Sequence, residues 1–159
     1  MRQVRAAIIA VILASLPAAA EAPPRIAVFD FALIDTSPAP PTAQEQDRIA
    51  ALGGQLRAAL ARSGRYTVVD IAPARATLAQ TDLLHCNGCE RDIAQSLGAG
   101  LAAVGWVQKV SNLILNINLV IEDASGHRLR AGSVDIRGNT DESWRRGLDY
   151  LLEERILPP

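Results

Sequence analysis

The sequence predicts an α/β (α+β) domain built on one mixed β-sheet of about five strands covered by helices. The expected order of elements is β-α-β-α-β-β-β-α. Strand-like and helix-like segments alternate in the first half, which is typical of β-α-β crossover units. The second half has three successive strand-like segments and then an amphipathic helix, which indicates a meander. At 159 residues, the chain is long enough for one domain with its own core.

The first half supplies two strands and a long helix. RIAVFDFALI (residues 25–34) is a dense apolar run with β-branched and aromatic members, which predicts a buried strand. Residues 45–64 predict a helix, because their apolar side chains recur at helical spacing: Ile49, Leu52, Leu56 and Leu60. We expect Gly64 to end this helix. RYTVVDI (residues 65–71) predicts the second strand.

Two short helices are expected in the middle of the chain. One lies in PARATLAQTDLL (residues 73–84), and the other begins near Cys89 and ends at Gly98. The next segment, LAAVGWVQKVS (residues 101–111), predicts a strand entered from the second of these helices.

The clearest pattern is the strict alternation in NLILNINLVIED (residues 112–123), which predicts a half-buried strand. Its apolar side is formed by Leu113, Leu115, Ile117, Leu119 and Ile121. DASGH (residues 123–127) is a predicted turn, and RLRAGSVDIRG (residues 128–138) completes a hairpin. A helix follows, with Asn139 as its expected cap and Glu142 completing a capping-box-like start.

The amino terminus predicts export. Residues 1–20 begin with Arg2 and Arg5, continue as a short apolar run and end in small residues, which is the order of a secretory signal peptide. We expect cleavage after Ala20 and a single periplasmic α/β domain over residues 21–159. The apolar run is too short to span a bilayer comfortably, and no membrane span is expected after cleavage. No basic tract is present, which argues against nucleic-acid binding.

The two cysteines lie in LLHCNGCERD (residues 83–92) and permit three interpretations. A local disulfide between Cys86 and Cys89 is expected, because exported domains with an even number of cysteines usually pair them. A redox centre is the second interpretation, since Cys89 would lie in the first turn of a helix, where a thiolate is stabilised. A metal site formed by His85, Cys86, Cys89 and His127 is the third interpretation. Covalent haem is excluded, because no histidine follows the second cysteine.

Several polar or aromatic residues of the second half are candidates for a partner or ligand surface. They are Lys109, Asn116, Asn118, Asp135, Arg137, Asn139, Asp141 and Trp144. The competing interpretation is that most of them cap the last helix or lie on the solvent side of the sheet, and that Trp106 and Trp144 pack in the core. No catalytic motif is present, so we expect no catalytic residues, cofactor or enzymatic activity.

The hydrophobic motifs RIAVFDF, LGGQLRAALARSGRYTVVD and SLGAGLAAVGWV resemble a group of bacterial envelope domains. The group comprises the amino-terminal domain of TolB, the curli secretion protein CsgG and the lipoprotein activators of penicillin-binding proteins. GWVQKVSNLILNINLVIED and SVDIRGNTDESWRRG are more closely similar to a small secreted proteobacterial family of unknown function, which also carries paired cysteines. The resemblance implies a binding or assembly domain in the periplasm and no particular activity.

Together these patterns predict a non-catalytic periplasmic binding, assembly or accessory domain of the cell envelope with a protein partner. Its sheet edge, or the segment from Asp135 to Trp144, would make the contact. The alternative is a thiol-disulfide or metal-handling accessory protein that uses Cys86 and Cys89, with thiol-disulfide oxidoreductase as the corresponding enzymatic activity.

Overall fold

The computed structural model describes residues 21–158 and has a mixed α+β fold around one β-sheet, as predicted. The sheet contains six strands instead of about five, because the predicted first strand is divided. The predicted signal peptide, residues 1–20, lies outside the described residues. Within residues 21–158, none of the helices combines the length and hydropathy needed to cross a bilayer.

The elements follow the predicted order, except that two strands replace the first one and two short helices lie where the order has one. The strands are β1 Arg25–Val28, β2 Ala32–Asp35, β3 Thr67–Val69, β4 Leu101–Ser111, β5 Ile114–Asp123 and β6 Arg128–Ile136. The helices are α1 Ala43–Arg62, α2 Arg75–Leu78, α3 Cys89–Ser96 and α4 Asp141–Leu151. A 3₁₀ turn, Ala72–Ala74, precedes α2, and α4 continues as a π-helical turn over Leu152–Ile156.

The strand order in the sheet is β3-β1-β4-β5-β6, and β2 pairs with β4 beyond the end of β1. Strand β1 is parallel to β3 and β4, and β2 is parallel to β4. The β4–β5 and β5–β6 pairs are antiparallel. Parallel crossover strands therefore form one half of the sheet and a meander forms the other, as the alternation of elements predicted.

The first strand is divided because three residues, 29–31, stand opposite two residues of β4. This one-residue bulge changes which face the following side chains occupy. Phe29 lies in the smaller core and Phe31 in the larger one, although an uninterrupted strand would place both on the same face. The Phe31 ring lies directly on Gly105 of β4, so the bulge allows both phenylalanines to be buried.

The sheet has a hydrophobic core on each face. The larger core lies between the sheet and helices α1 and α4, and its fully buried members include Leu52, Leu56, Ile117, Leu119, Trp144 and Leu148. The smaller core contains Ile93 and Ala94 of α3 together with Ala102 and Val104 of β4. Helices therefore cover one face of the sheet broadly and the other face only near β1, β3 and the start of β4.

The ends of α1 show how local sequence fixes a helix. Thr42 and Glu45 form a reciprocal capping box, so the helix begins at Ala43 and not at Glu45. Ser63 is the carboxyl-terminal cap, and Gly64 follows with a φ of 67°, which confirms the predicted stop.

Two details of the second half differ from the predictions. Leu113 lies in the turn between β4 and β5 with 71% of its surface exposed, so the buried alternation begins at Leu115. The amino-terminal cap of α4 is Thr140, whose hydroxyl accepts a hydrogen bond from the Ser143 amide at 3.2 Å. Asn139 is not the cap, because its side chain is used in the buried polar network described below.

Candidate functional site

One face of the sheet remains open beyond the region that α3 covers. We call this surface the open face; its residues are Ile34, Trp106, Gln108, Asn116, Asn118, Val120, Ser133 and Asp135. Each is half-buried or exposed, whereas Leu115, Ile117 and Leu119 on the opposite side of β5 are at most 1% exposed. Three of the predicted surface residues, Asn116, Asn118 and Asp135, therefore lie together.

Strand register arranges the open face in rows. Trp106 of β4 stands opposite Asn118 of β5, which in turn stands opposite Ser133 of β6. The next row is formed in the same way by Gln108, Asn116 and Asp135. Half-buried Trp106 thus lies beside polar side chains from three neighbouring strands, an arrangement that suits recognition of a surface with both apolar and polar groups.

Hydrogen bonds hold the polar side chains of the open face in place. The Asn116 amide donates to the Ser133 hydroxyl and to the Asp135 carboxylate, both at 2.8 Å. The Asn118 amide donates to the Asn116 carbonyl oxygen. Because the side chains are already fixed, a partner that contacts them loses little additional conformational entropy at this surface.

The other predicted surface residues do not belong to the open face. Arg137 follows β6 and is exposed. Asp141, the first residue of α4, accepts a hydrogen bond from Arg48 Nε at 2.7 Å. Lys109 and Trp144 are 2% and 1% exposed, so neither forms part of a partner surface.

Lys109 instead belongs to a buried polar network that joins β2, β4, α1 and the segment before α4. Its ammonium group contacts the Glu45 carboxylate at 2.7 Å and the Asp35 carboxylate at 3.0 Å. The Asn139 amide donates to Glu45 at 2.6 Å, and the Asn139 carbonyl oxygen accepts from the Trp144 indole at 3.0 Å. The network satisfies the polar groups that the larger core encloses.

Hydrogen bonds keep Glu45 and Lys109 ionised within this network. Burial alone would raise the pKa of Glu45, but hydrogen bonds from Lys109, the Thr42 amide and Asn139 outweigh it and lower the pKa to about 2. The hydrogen bond to Glu45 raises the pKa of Lys109, and burial opposes that increase. Both groups are therefore charged at neutral pH, and the network is a structural connection.

The sequence contained a signal for this network. Glu45 lies four residues before Ile49, on the apolar stripe of α1, and Lys109 lies two residues after buried Val107. Each charged residue therefore occupies a position that the periodicity assigns to the core. Two such positions with opposite charges indicate a buried pair, since an unpaired buried charge is costly.

Cys86 and Cys89 are joined by a disulfide, with their Cα atoms 5.6 Å apart. The two residues between them have positive φ values, 58° for Asn87 and 119° for Gly88. Gly88 also precedes α3 directly, so the bridge fixes the start of that helix at Cys89. We call residues 83–91, which contain the bridge and border the open face, the disulfide loop.

The structure does not bring the predicted metal ligands together. Potential ligand atoms within 4.8 Å of one another come from Cys86, Cys89 and Glu90, a group that contains neither histidine. His85 instead contacts the Asp82 carboxylate at 2.8 Å. His127 lies in the β5–β6 turn with 74% of its side chain exposed. With both sulfurs in a disulfide, neither offers the thiolate that zinc binding requires.

Two carboxylates and an arginine lie beside the disulfide. Glu90 Oε2 is 3.4 Å from Cys86 Sγ. Arg91 Nε lies 3.4 Å from Glu90 Oε1 and 3.9 Å from Glu122 Oε1. Burial and then the hydrogen bond to Glu90 raise the pKa of Glu122, whereas Arg91 and Arg128 oppose the increase. The sequence patterns did not indicate Glu90, Arg91 or Glu122 as members of a site.

Arg91 connects the disulfide loop to the β5–β6 turn. Its guanidinium group lies against the backbone of Gly88 in the loop and of Gly126 in the turn, where a Cβ atom on either glycine would collide with it. Glu90, Arg91, Glu122 and Trp106 line a cavity of about 460 Å³ between the loop and the open face. The disulfide loop and the open face therefore form one continuous region.

A second cavity, of about 650 Å³, lies where the parallel strands β1 and β3 end. This is the edge at which α/β folds commonly bind ligands. Phe29, Phe31 and Val104 contribute apolar surface to it, and Arg57 donates to the Asp30 carboxylate at 2.9 Å on its rim. Its described lining residues include Thr81 and three aspartates, Asp30, Asp70 and Asp82, and no serine, cysteine, histidine or lysine.

Solved structures with a similar fold include the LpoB C-terminal domain from Salmonella enterica, with a TM-score of 0.53, 19% identity and coverage of 73% of this chain and 84% of that chain. Lipoprotein GNA1162 from Neisseria meningitidis has a TM-score of 0.53 and 19% identity, and the match covers 75% of this chain and 84% of that chain. The PelC dodecamer from Paraburkholderia phytofirmans has a TM-score of 0.50 and 12% identity, and the match covers 82% of this chain and 84% of that chain.

These low identities establish a shared fold and nothing beyond it, and they confirm the fold relationship that the sequence motifs predicted. No curated protein sequence matches the chain. Residues 24–156 match the family model DUF3280, whose description is "Protein of unknown function (DUF2380)". The match covers most of the chain, and this protein therefore belongs to that family of unknown function.

Proposed function

We propose that this protein is a non-catalytic binding or accessory domain of the cell envelope, exported to the periplasm, and that it binds a protein partner through the open face. The observation that carries the proposal is the uncovered part of the sheet, where half-buried Trp106 lies beside Asn118 and Ser133. A tryptophan partly enclosed by ordered polar neighbours resembles the centre of a protein–protein interface.

A protein partner fits the open face better than a small molecule does. The surface spans four strands and presents flat rows of side chains, whereas small-molecule sites are concave and enclose most of the ligand. The Asn118 amide uses one of its two hydrogens in this network, and the Ser133 hydroxyl uses one of its two acceptor positions, which leaves the others for a partner. Backbone and side-chain groups of a partner protein can use those positions.

Three features support the envelope location. The predicted signal peptide, residues 1–20, would export the chain, and a disulfide such as Cys86–Cys89 persists in oxidising compartments. The similar solved structures include a protein named as a lipoprotein and one solved as a dodecamer. The same fold thus occurs in a lipoprotein and in a dodecamer, which suits an accessory role without catalysis.

The alternative of a thiol-disulfide oxidoreductase has less support. A catalytic cysteine requires a stabilised thiolate. The Glu90 carboxylate, 3.4 Å from the Cys86 sulfur, would repel a thiolate at that position. The cysteines also do not line the cavity of about 650 Å³ at the strand ends.

Site-specific photo-crosslinking in intact cells tests the proposed surface. A benzophenone amino acid at Asn118 is expected to crosslink an envelope protein, because that position lies next to Trp106. The matched control is the same probe at Gln46, an exposed position of α1 on the other side of the sheet. Trp106→Ala should lower the yield at Asn118 by at least about tenfold, as expected for a central interface residue.

Two outcomes would show that the proposal is wrong. The first is equal crosslinking from positions 118 and 46, and the second is an Asn118 crosslink that Trp106→Ala leaves unchanged. Thermal unfolding of Trp106→Ala and Trp106→Phe separates a lost contact from a lost fold, because Trp106→Phe keeps an aromatic ring at the half-buried position.

A further inference from the structure

We propose that the free edge of β2 binds an extended peptide segment of a partner protein by strand addition. The peptide would lie beside β2, in line with β3, and would place an apolar side chain in the cavity of about 650 Å³ at the strand ends. This inference goes beyond the proposed binding function and does not depend on it, because the edge lies on the opposite side of β4 from Asn118 and Ser133 of the open face.

Strand β2 has a neighbouring strand on one side only. Strands β1 and β2 pair with successive parts of β4, residues 101–103 and 106–109, so both occupy the same position in the strand order. Strand β3 pairs with β1 and ends at Val69, opposite Ala27. Within residues 21–158, no strand continues β3 along β2. We call this unoccupied position beside β2 the edge gap.

The burial of the two strands reflects this difference. Ile26 and Ala27 of β1, which are paired on both sides, are 0% exposed. All four residues of β2 are half-buried. The Asp35 side chain is only 5% exposed, because it contacts Lys109 in the buried network. The accessible surface of Asp35 therefore includes its backbone, and the edge of β2 is open at that residue.

The hydrogen bonds of β2 identify which backbone groups face the edge gap. The Thr36 amide donates to the Lys109 carbonyl oxygen at 2.9 Å. Because the backbone groups of successive residues in a strand point to opposite sides, Ile34 and Thr36 face β4. Leu33 and Asp35 therefore direct their N–H and C=O groups towards the edge gap. An added strand forms its hydrogen bonds with such unpaired edge groups.

The cavity at the strand ends lies in the edge gap. Its lining includes Phe29 and Val104 from the smaller core and Phe31 from the larger core, so it reaches both faces of the sheet. A single cavity can touch both faces only where no strand separates them. Val69 at the end of β3 and Ala32 at the start of β2 also line it, which places the cavity where β3 stops.

An extended peptide matches both parts of this site. Its backbone supplies donors and acceptors for the outward groups of Leu33 and Asp35, and its alternate side chains point to the two faces that the cavity reaches. A side chain on the side of the smaller core would contact Phe29 and Val104, so we expect an apolar residue there. A small molecule would fill the cavity without pairing with the strand edge.

Arg57 marks the end of the edge gap nearest β3. Its guanidinium group donates to the Val28 carbonyl oxygen at 3.2 Å and to the Asp30 carboxylate at 2.9 Å. Val28 is the last residue of β1, and β3 ends one position before it. Because Arg57 already satisfies this carbonyl group, the added strand would pair with the four residues of β2 and not with β1.

Amide exchange in the presence of a selected peptide tests the proposal. Random peptides of about twelve residues, displayed on phage, are selected on the purified protein, and hydrogen exchange is followed by NMR. We expect enriched peptides to alternate apolar and polar residues and, at saturation, to slow exchange of the Leu33 and Asp35 amides by at least about tenfold. The Ile34 amide, which faces β4, should change little. Failure to enrich any binding peptide, or enriched peptides that leave both amides unchanged, would overturn the proposal.

Two substitutions at one position provide the matched comparison. Leu33→Pro removes the outward N–H, which no strand within residues 21–158 uses, and proline is tolerated at such an edge position. Leu33→Ala keeps the N–H and also loses the leucine contacts with the larger core. Peptide affinity should be at least about tenfold lower in Leu33→Pro than in Leu33→Ala. Equal affinities of the two variants would overturn the proposal.

Two controls make the result specific to a partner peptide. Thermal unfolding shows whether both variants are folded, and if Leu33→Pro is unfolded, exchange in the wild-type protein decides alone. Exchange without peptide is measured at two protein concentrations. Protection of Leu33 and Asp35 that increases with protein concentration would show that β2 pairs with a second copy, and it would overturn a partner peptide as the occupant.

Discussion

The Lys109 ammonium group lies 2.7 Å from the Glu45 carboxylate, and the two residues are 2% and 0% exposed. This pair connects the central strand β4 to the first turn of α1. It also accounts for the Asn139 side chain, which hydrogen-bonds Glu45 and therefore cannot cap α4. The ion pair and its hydrogen bond to Asn139 thus connect the sheet, α1 and the segment before α4.

The first prediction is that Lys109→Met destabilises the protein strongly. Removing the ammonium group leaves two carboxylates, Glu45 and Asp35, in the core without a cation. The free energy of unfolding should fall by about 3–5 kcal/mol. Glu45→Gln should cost less, about 1–3 kcal/mol, because the Lys109–Asp35 contact remains. Urea unfolding at neutral pH measures both values.

The same pair predicts a pH dependence with a defined sign. Hydrogen bonds lower the pKa of Glu45 to about 2 in the folded protein, below its unfolded value of 4.5. Its ionised form therefore stabilises the fold fully above that unfolded value, and the contribution is lost as pH falls from 4.5 towards 2. Wild-type stability should drop more steeply over this interval than that of Glu45→Gln. Parallel curves for the two proteins would contradict the prediction.

The second prediction compares two glycines. A Cβ atom at Gly105 would lie within 2.6 Å of Phe31 Cζ, and Phe31 is only 4% exposed and cannot move aside. Gly105→Ala should therefore destabilise the fold by about 1–3 kcal/mol. Gly54 is exposed within α1, and a methyl group added there would have no neighbouring atom within 4 Å. Gly54→Ala should stabilise the protein by about 1 kcal/mol.

Chemical denaturation of both alanine variants under one set of conditions tests the second prediction. The two substitutions add the same methyl group, so their opposite signs isolate the effect of local packing. Destabilisation by Gly54→Ala, or no effect of Gly105→Ala, would contradict the assignment of these two environments.

Elements governed by local sequence were predictable. The alternation of Leu115, Ile117, Leu119 and Ile121 required no knowledge of the partner strands, and each of these residues is buried as expected. The stop at Gly64 and the start of α3 at Cys89 also follow from neighbouring residues. Each of these signals lies within a few residues of the element that it governs, so it can be recognised in a single sequence.

Features that depend on distant residues were not predictable in the same way. The division of the first strand depends on the contact between Phe31 and Gly105, which are far apart in the chain. The grouping of Glu90, Arg91 and Glu122 likewise depends on how α3 lies against β5. For the predicted surface, the sequence grouped Asn116, Asn118 and Asp135, which share the open face, with Lys109 and Trp144, which are buried.

The third prediction concerns export. Residues 21–24 precede β1 and are exposed, so a cut after Ala20 would leave the first strand and the core intact. Protein recovered from the periplasm of a Gram-negative host should have the mass of a chain that begins at Glu21. Ala20→Arg should prevent this cleavage, because signal processing requires a small residue before the cut.

The control for this experiment is Glu21→Gln, which changes the residue after the cut and should be processed normally. Intact-mass measurement distinguishes cleavage after Ala20 from cleavage after Ala22, which would leave Pro23 as the first residue. A full-length chain that retains Arg2 and Arg5 in the cytoplasmic fraction would contradict export. It would also remove the oxidising compartment as the reason for the Cys86–Cys89 disulfide, because cytoplasmic thiols are kept reduced.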